Sequence, residues 1–223
     1  MSGVDEPGGD DPRLEALWGT PGALLVVDVQ RSFADPALLP HLGAQALRDV
    51  AAAVRRTGEA VAAGRAAGVP VAWCRLRVRP DDPWPASNWL RGLGPGDPWP
   101  TPWDPCVEGT AGVEWYGVEP APGELVVDKR TYDGFAGTGL ADGLRRFEWL
   151  AVAGLTTDCC VLETAGSAFT AGFRVVVLAD ACAAEDRAGH DAALRVLGTH
   201  SAVVSDTRWF AARAAAQTRG AGK

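Results

Sequence analysis

The sequence predicts a three-layer α/β/α fold on a six-stranded, mostly parallel, Rossmann-like sheet. Six short, nearly continuous apolar runs read as strands covered on both faces. Helical patterns with small apolar residues at three- and four-residue spacing lie between them, and this alternation makes a parallel sheet with helices on both sides. The composition agrees: 223 residues, 47% hydrophobic and 22% charged, suit one globular domain with a sizeable core.

In chain order, residues 1–20 are rich in Gly, Pro and Asp and read as a flexible lead with a short helical turn around residues 14–18. The domain proper is expected over 21–217. Its first strand, 23–29 (ALLVVDV), follows Pro21 and Gly22, and a long helix over 43–67 leads to a second strand at 69–74. Residues 80–123 interrupt the alternation with crowded Pro and Gly and with Trp84, Trp89, Trp99, Trp103 and Trp115. That much aromatic surface is costly to leave wet, so the segment is expected to fold as an active-site wall or an interface loop. Then come strand 125–127, helix 139–146, strand 149–153, helix 158–171, strand 175–179, helix 188–198, strand 202–204 and helix 207–217.

Charge and cysteine content narrow the functional classes. The formal net charge of −7 without a dense Lys/Arg cluster disfavours a phosphate backbone as partner, so no nucleic acid is expected. No run of about 18 apolar residues is available to span a membrane, and the N-terminus has neither the basic start nor the apolar core of a secretory signal. The five cysteines, Cys74, Cys106, Cys159, Cys160 and Cys182, are an odd number and read as free thiols of a cytoplasmic protein. Adjacent Cys159 and Cys160 are too close to clamp one zinc ion, and no metal or other cofactor is expected.

Three polar residues stand where apolar strands end: Asp28, Lys129, and Asp158 with the Cys159–Cys160 pair behind it. An acid within a buried strand is expensive unless paired or used, and Lys129 offers the counter-charge. The same pattern also fits a purely structural ion pair. The string GLTTDCCV at 154–161 leads from strand to helix, placing Cys160 in a first turn where unpaired N–H groups favour a thiolate and could hold an oxyanion. Both thiols could equally be small buried hydrophobes. Periodicity does not choose between the two, which point about 100° apart on a helix.

At these residues the chain resembles the isochorismatase-like cysteine hydrolases, the superfamily of nicotinamidase, N-carbamoylsarcosine amidase, biuret hydrolase and isochorismatase. The likeness spans roughly residues 23–205 and rests on Asp28, Gln30 and Phe33, on Lys129 with FAGTGL at 135–140, on GLTTDCCVLETA at 154–165 and on LADACAA at 178–184. It implies a catalytic triad of Asp28, Lys129 and Cys160, and a non-proline cis peptide between Leu155 and Thr156 that turns the amides of Thr156 and Cys160 toward an oxyanion. It further implies a thioester mechanism on a small amide, carbamoyl or ureido substrate, and a homo-oligomer, dimer or tetramer. Gln30, Phe33, Asn88, Trp89, Tyr132 and Phe135 are expected to line the substrate pocket.

The alternatives are weighed on single features. Members that cleave a vinyl ether lack the cysteine, so Cys160 favours an amidohydrolase over an isochorismatase. A catalytically silent binding member would be expected to lose the triad. No G-x-S-x-G elbow supports a serine hydrolase, and DVQRSF stands where a dinucleotide fingerprint would follow the first strand. Asp133, before Phe135, is an extra carboxylate that could alter substrate charge preference. Arg75, Arg77 and Arg79 alternate as the second strand exits and read as a solvated strand edge, with carboxylate binding as the other reading.

Overall fold

A computed structural model of the protein describes residues 11–17, 19–94 and 96–220. Six parallel strands form one sheet: β1 (Gly22–Val27), β2 (Val71–Leu76), β3 (Leu125–Lys129), β4 (Trp149–Leu155), β5 (Arg174–Ala183) and β6 (Val203–Ser205). Their order is β3-β2-β1-β4-β5-β6. The sheet is wholly parallel among the described strands, where a mostly parallel one was expected.

Alternation along β1 shows how the layers divide. Leu24 and Val26 face a core built with Trp73, Trp149 and Phe210, whereas Ala23, Leu25 and Val27 face one built with Leu140, Val161 and Leu197. The first core is covered by the long helix α3 (Ala44–Ala66) and by α8 (Thr207–Gly220). The second is covered by α5 (Leu140–Leu144), α6 (Leu162–Thr170) and α7 (Arg187–His200). Each fully buried leucine contributes on the order of 1.5–3 kcal/mol, so these faces fix the strand order more firmly than any local propensity. Gly22 is needed because a Cβ there would enter the Trp149 ring.

The boundaries differ from expectation in instructive ways. β1 stops at Val27 because Asp28 turns into the left-handed region, with φ 49°, and the short helix α2 (Arg31–Ala34) follows. β2 runs on to Leu76, and β5 extends to Ala183 past an irregularity in its pairing with β4 between Val152 and Gly154. Gly154, with φ 130°, sits where a Cβ would collide with the Val27 backbone. The helix expected over 158–171 is split into a π-helical turn, Thr157–Val161, followed by α6.

The lead is anchored from residue 11 onward. Asp11 caps α1 (Pro12–Glu15) by accepting from the Arg13 amide at 2.8 Å. Leu14 and Leu17, three residues apart on one face, are buried against the first core, which a composition dominated by Gly, Pro and Asp conceals. Residues 1–10 and Trp18 lie outside the described residues.

The described residues of the 80–123 segment are folded. They contain α4 (Pro85–Leu90), and the segment is pinned to the sheet exits by the pairings Val78 with Val107 and Gln30 with Trp115. Among the described residues no helix is long and apolar enough to cross a membrane. The strand order reverses between β1 and β4, so the crevice outside their carboxyl ends is where ligand chemistry is sought.

Candidate active site

Asp28, immediately after β1, Lys129, the last residue of β3, and Cys160, in the turn after β4, converge at this crevice. Lys129 Nζ lies 2.7 Å from Asp28 Oδ2 and donates to Cys160 Sγ at 3.2 Å and to the Thr131 carbonyl at 2.9 Å. An ammonium has three N–H groups, and three acceptors surround this one. Asp28 and Lys129 are 0% exposed and Cys160 2%. The Lys129 ammonium is the main compensation for the buried Asp28 carboxylate.

The electrostatics follow from burial. Desolvation pushes the Asp28 carboxyl above the usual carboxylate range, with Lys129 and the Cys160 thiol pulling the other way. Burial works to lower Lys129, but the charge of Asp28 and then that of Cys160 outweigh it and hold the ammonium above the ordinary lysine value. The contact with Cys159, burial and the Asp28 charge push the Cys160 thiol up, against Lys129.

The turn that carries Cys160 is held from both ends. The Leu155–Thr156 peptide is cis, and the Thr156 carbonyl accepts the amides of Cys159 and Val161 at 3.3 and 3.0 Å. Thr157, fully buried, shares a 2.8 Å hydrogen bond with Nδ1 of His190 on α7. His190 stands four residues past Asp186, the residue that caps α7.

A cavity of about 370 Å³ is walled by Trp84, Trp99, Trp103 and Tyr132; Asp28, Lys129 and Cys160 do not line it, and Leu76, the register partner of Lys129, and Thr131, whose carbonyl accepts from Lys129, are the lining residues nearest them in the fold. Trp84 and Tyr132 meet edge to face at 4.9 Å. Of the six expected pocket residues, Tyr132 lines this cavity and five do not. Asn88 and Trp89 sit on the other face of α4, Trp89 79% exposed, because Trp84, Ser87 and Arg91 share the inward face. Gln30 is buried as a clamp between strand exits, accepting from the Leu76 amide at 2.9 Å and donating to the Leu76 and Val113 carbonyls at 3.0 Å. Phe33 packs into the cores, and Phe135 lies on Phe173 at 6.0 Å.

Other side chains singled out in the sequence are tied within the protein. Asp133 accepts from the Phe135 amide and the Ser167 hydroxyl, both at 2.8 Å, and so staples its loop to α6. Arg75 and Arg77 both pair with Asp128, at 2.6 and 3.0 Å, and Arg79 pairs with Asp81 at 2.9 Å. They are not a bare strand edge, since β3 lies beyond β2 and supplies Asp128.

A sequence profile described as the isochorismatase domain matches residues 22–208. The chain belongs to the isochorismatase family. It is 31% identical over 205 residues to ureidoacrylate amidohydrolase RutB of Methylobacterium radiotolerans, covering 84% of this chain and 77% of that one. It is 36% identical over 170 residues to streptothricin hydrolase of Streptomyces noursei, covering 74% of this chain and 50% of that one. Among solved structures, N-carbamoylsarcosine amidase from Thermoplasma acidophilum superposes with a TM-score of 0.64 at 28% identity, over 84% and 96% of the two chains. A cysteine hydrolase from Pseudomonas syringae pv. phaseolicola reaches 0.76 at 23% identity, over 96% and 100%, and so matches the fold. The family and fold that the motifs implied are thus both met.

Proposed function

We propose that this protein is a cysteine-dependent amidohydrolase that cleaves a C–N bond of a small amide, carbamoyl or ureido substrate through a thioester on Cys160. The observation that carries the reading is the placement of Lys129 Nζ between Asp28 and Cys160, with all three side chains out of water. The relatives named as amidohydrolases and as a carbamoylsarcosine amidase support it.

The steps follow from the groups present. The Cys160 thiol gives its proton to Asp28 as sulfur attacks the carbonyl carbon, and Lys129 balances the charge moving between them. Negative charge that develops on the carbonyl oxygen is met by the amides of Thr156 and Cys160. One such donor is typically worth about 10²–10³ in rate. The tetrahedral adduct collapses with loss of the C–N bond, and Asp28 returns its proton to the departing nitrogen as ammonia or an amine leaves. Water then loses a proton to Asp28 while attacking the thioester, and the Cys160 sulfur departs and recovers that proton.

The reaction is written without a metal because the donor set does not fit one. Asp81 and Asp82 follow the second strand, but each is held by an arginine, Arg79 at 2.9 Å and Arg130 at 2.6 Å, and His41 lies beside Glu185. Among the described residues no group of three His, Cys, Asp or Glu side chains is placed to hold an ion. Trp89, Leu90 and Trp103 stay largely exposed, and we propose a homo-oligomer that covers them, to be checked by light scattering against a stable monomer.

Ammonia release from a panel of amides, carbamoyl compounds and ureides tests the activity. Cys160→Ala should abolish it, and mass spectrometry should find the acyl adduct on Cys160, whereas Cys159→Ala keeps most of the rate. Equal losses in the two folded variants would sink the assignment.

A further inference from the structure

The chain that follows β4 laces the nucleophile turn to the loop that carries Lys129. Cys160, Thr164 and Ser167 recur at the four- and three-residue steps that put side chains on one face of a helix. All three meet the segment that begins at Lys129. Cys160 accepts from the Lys129 ammonium at 3.2 Å, Thr164 accepts from the Gly134 amide at 3.0 Å and donates to the Tyr132 carbonyl at 3.4 Å, and Ser167 donates to Asp133 at 2.8 Å. The approach is close: a Cβ on Gly134 would stand 3.0 Å from Thr164 Cγ2 and 3.1 Å from Cys74 Sγ.

Thr164 is the central tie, and it is fully buried. A threonine inside a helix often turns its hydroxyl back on the carbonyl four residues earlier, as Thr170 does with Gly166 at 3.0 Å. The Thr164 hydroxyl bridges two backbone groups of the neighbouring loop, one on either side of Asp133. Immediately before them stands the Thr131 carbonyl, which accepts from Lys129 at 2.9 Å. Contact therefore runs from Thr164 through the 132–134 backbone to Thr131, and from there to the ammonium between Asp28 and Cys160. Removing the hydroxyl leaves a buried amide and a carbonyl to find other partners, so the loop shifts and the Thr131 carbonyl shifts with it. An ammonium deprived of one acceptor turns away from its place beside the sulfur.

We infer that Thr164 is a positioning residue for the triad: its hydroxyl, with the Asp133–Ser167 bond as second anchor, fixes the loop whose Thr131 carbonyl holds the Lys129 ammonium against Cys160. The consequence for turnover rests on the amidohydrolase reading; the consequence for the reactivity of the thiol does not. Buried away from solvent, Thr164 acts on the rate of chemistry and not on substrate binding.

Iodoacetamide labelling of the full-length protein, mapped by mass spectrometry, reads the placement of Lys129 without any substrate. Thr164→Val keeps the branched shape and loses the hydroxyl, so it should slow labelling of Cys160 about 5-fold while Cys159 stays within about twofold. On any amide the enzyme cleaves, the same variant should lower kcat about 10-fold with KM within about twofold. Thr164→Ser keeps the hydroxyl and should restore both rates. Thr57→Val is the matched control, since the Thr57 hydroxyl is equally buried and donates to the Ala181 carbonyl at 3.1 Å, away from the triad. It should leave labelling and kcat near the wild-type values. Labelling of Thr164→Val at the wild-type rate, a Thr164→Ser as slow as Thr164→Val, or an equal slowing by Thr57→Val would overturn the inference. Should Thr164→Val not fold, Ser167→Ala, which releases only the Asp133 anchor, takes its place: slower labelling of Cys160 supports the inference and unchanged labelling overturns it. Slowed labelling in a protein that releases ammonia from no amide would uphold the positioning and refute the amidohydrolase reading instead.

Discussion

The Lys129 ammonium donates to the Cys160 sulfur at 3.2 Å while standing 2.7 Å from Asp28. A buried cation in this position serves two anions at different moments: the resting carboxylate, and the thiolate once the proton has moved. Its removal therefore has separable effects on folding and on rate. Lys129→Met should destabilise the protein by about 3–5 kcal/mol, because Asp28 is left as an unpaired buried charge. Asp28→Asn with Lys129→Met should recover much of that stability, since both charges are gone, yet release no ammonia. Urea denaturation of the wild type and these two variants checks this, and a double variant no more stable than Lys129→Met would refute it.

Alkylation should sort the five thiols into two groups. Burial pushes Cys182 up to about 12, and Cys74 and Cys106 are also pushed up by burial. Those three should stay unmodified by iodoacetamide until the chain unfolds. Cys160 must first give its proton to Asp28, so Asp28→Asn should slow its labelling several-fold while leaving Cys159, half-buried beside it, within about twofold. Peptide mapping by mass spectrometry reads both; early modification of Cys74, Cys106 or Cys182 would contradict the arrangement.

How far the sequence reached depends on the range of each interaction. The six strands were legible because buried parallel strands are continuous apolar runs, and the convergence of Asp28, Lys129 and Cys160 because they stand at strand ends where a charge or thiol is out of place. The lining of the Trp-walled cavity was not. Trp84 and Trp89 read alike in a Pro-rich stretch, and only the orientation of α4 decides that one faces the cavity while the other is 79% exposed. Gln30 illustrates the same limit, since a polar residue past a strand end is as suited to clamping Leu76 and Val113 as to touching substrate.

Chelation should leave the enzyme unaffected. The carboxylates of Asp81 and Asp82 are already occupied by arginines, and no histidine accompanies them, so a divalent ion would find only hard, engaged oxygens. Activity on the best amide should stay within about twofold after exhaustive EDTA treatment and gel filtration. A loss that zinc or manganese restores would overturn the metal-free mechanism.

His190 should make stability depend on pH through the turn it supports. Burial first, then the charge of Arg187, hold its imidazole below the ordinary histidine value, although Asp191, Asp49 and Asp158 act in the opposite direction. The unfolded chain therefore takes up a proton near pH 6.5 that the folded one refuses, so unfolding gains protons and stability falls as the pH drops through that value. The contribution is full above about pH 6.5 and is lost on going down toward and below the folded value. His190→Asn, which can still hydrogen-bond to Thr157, should flatten the decline. Urea midpoints at pH 7.5 and 5.5 for the two proteins give the comparison, in which the titration of Asp28 is common to both and cancels. A wild-type decline no steeper than that of His190→Asn would refute the contribution of His190 to the pH dependence.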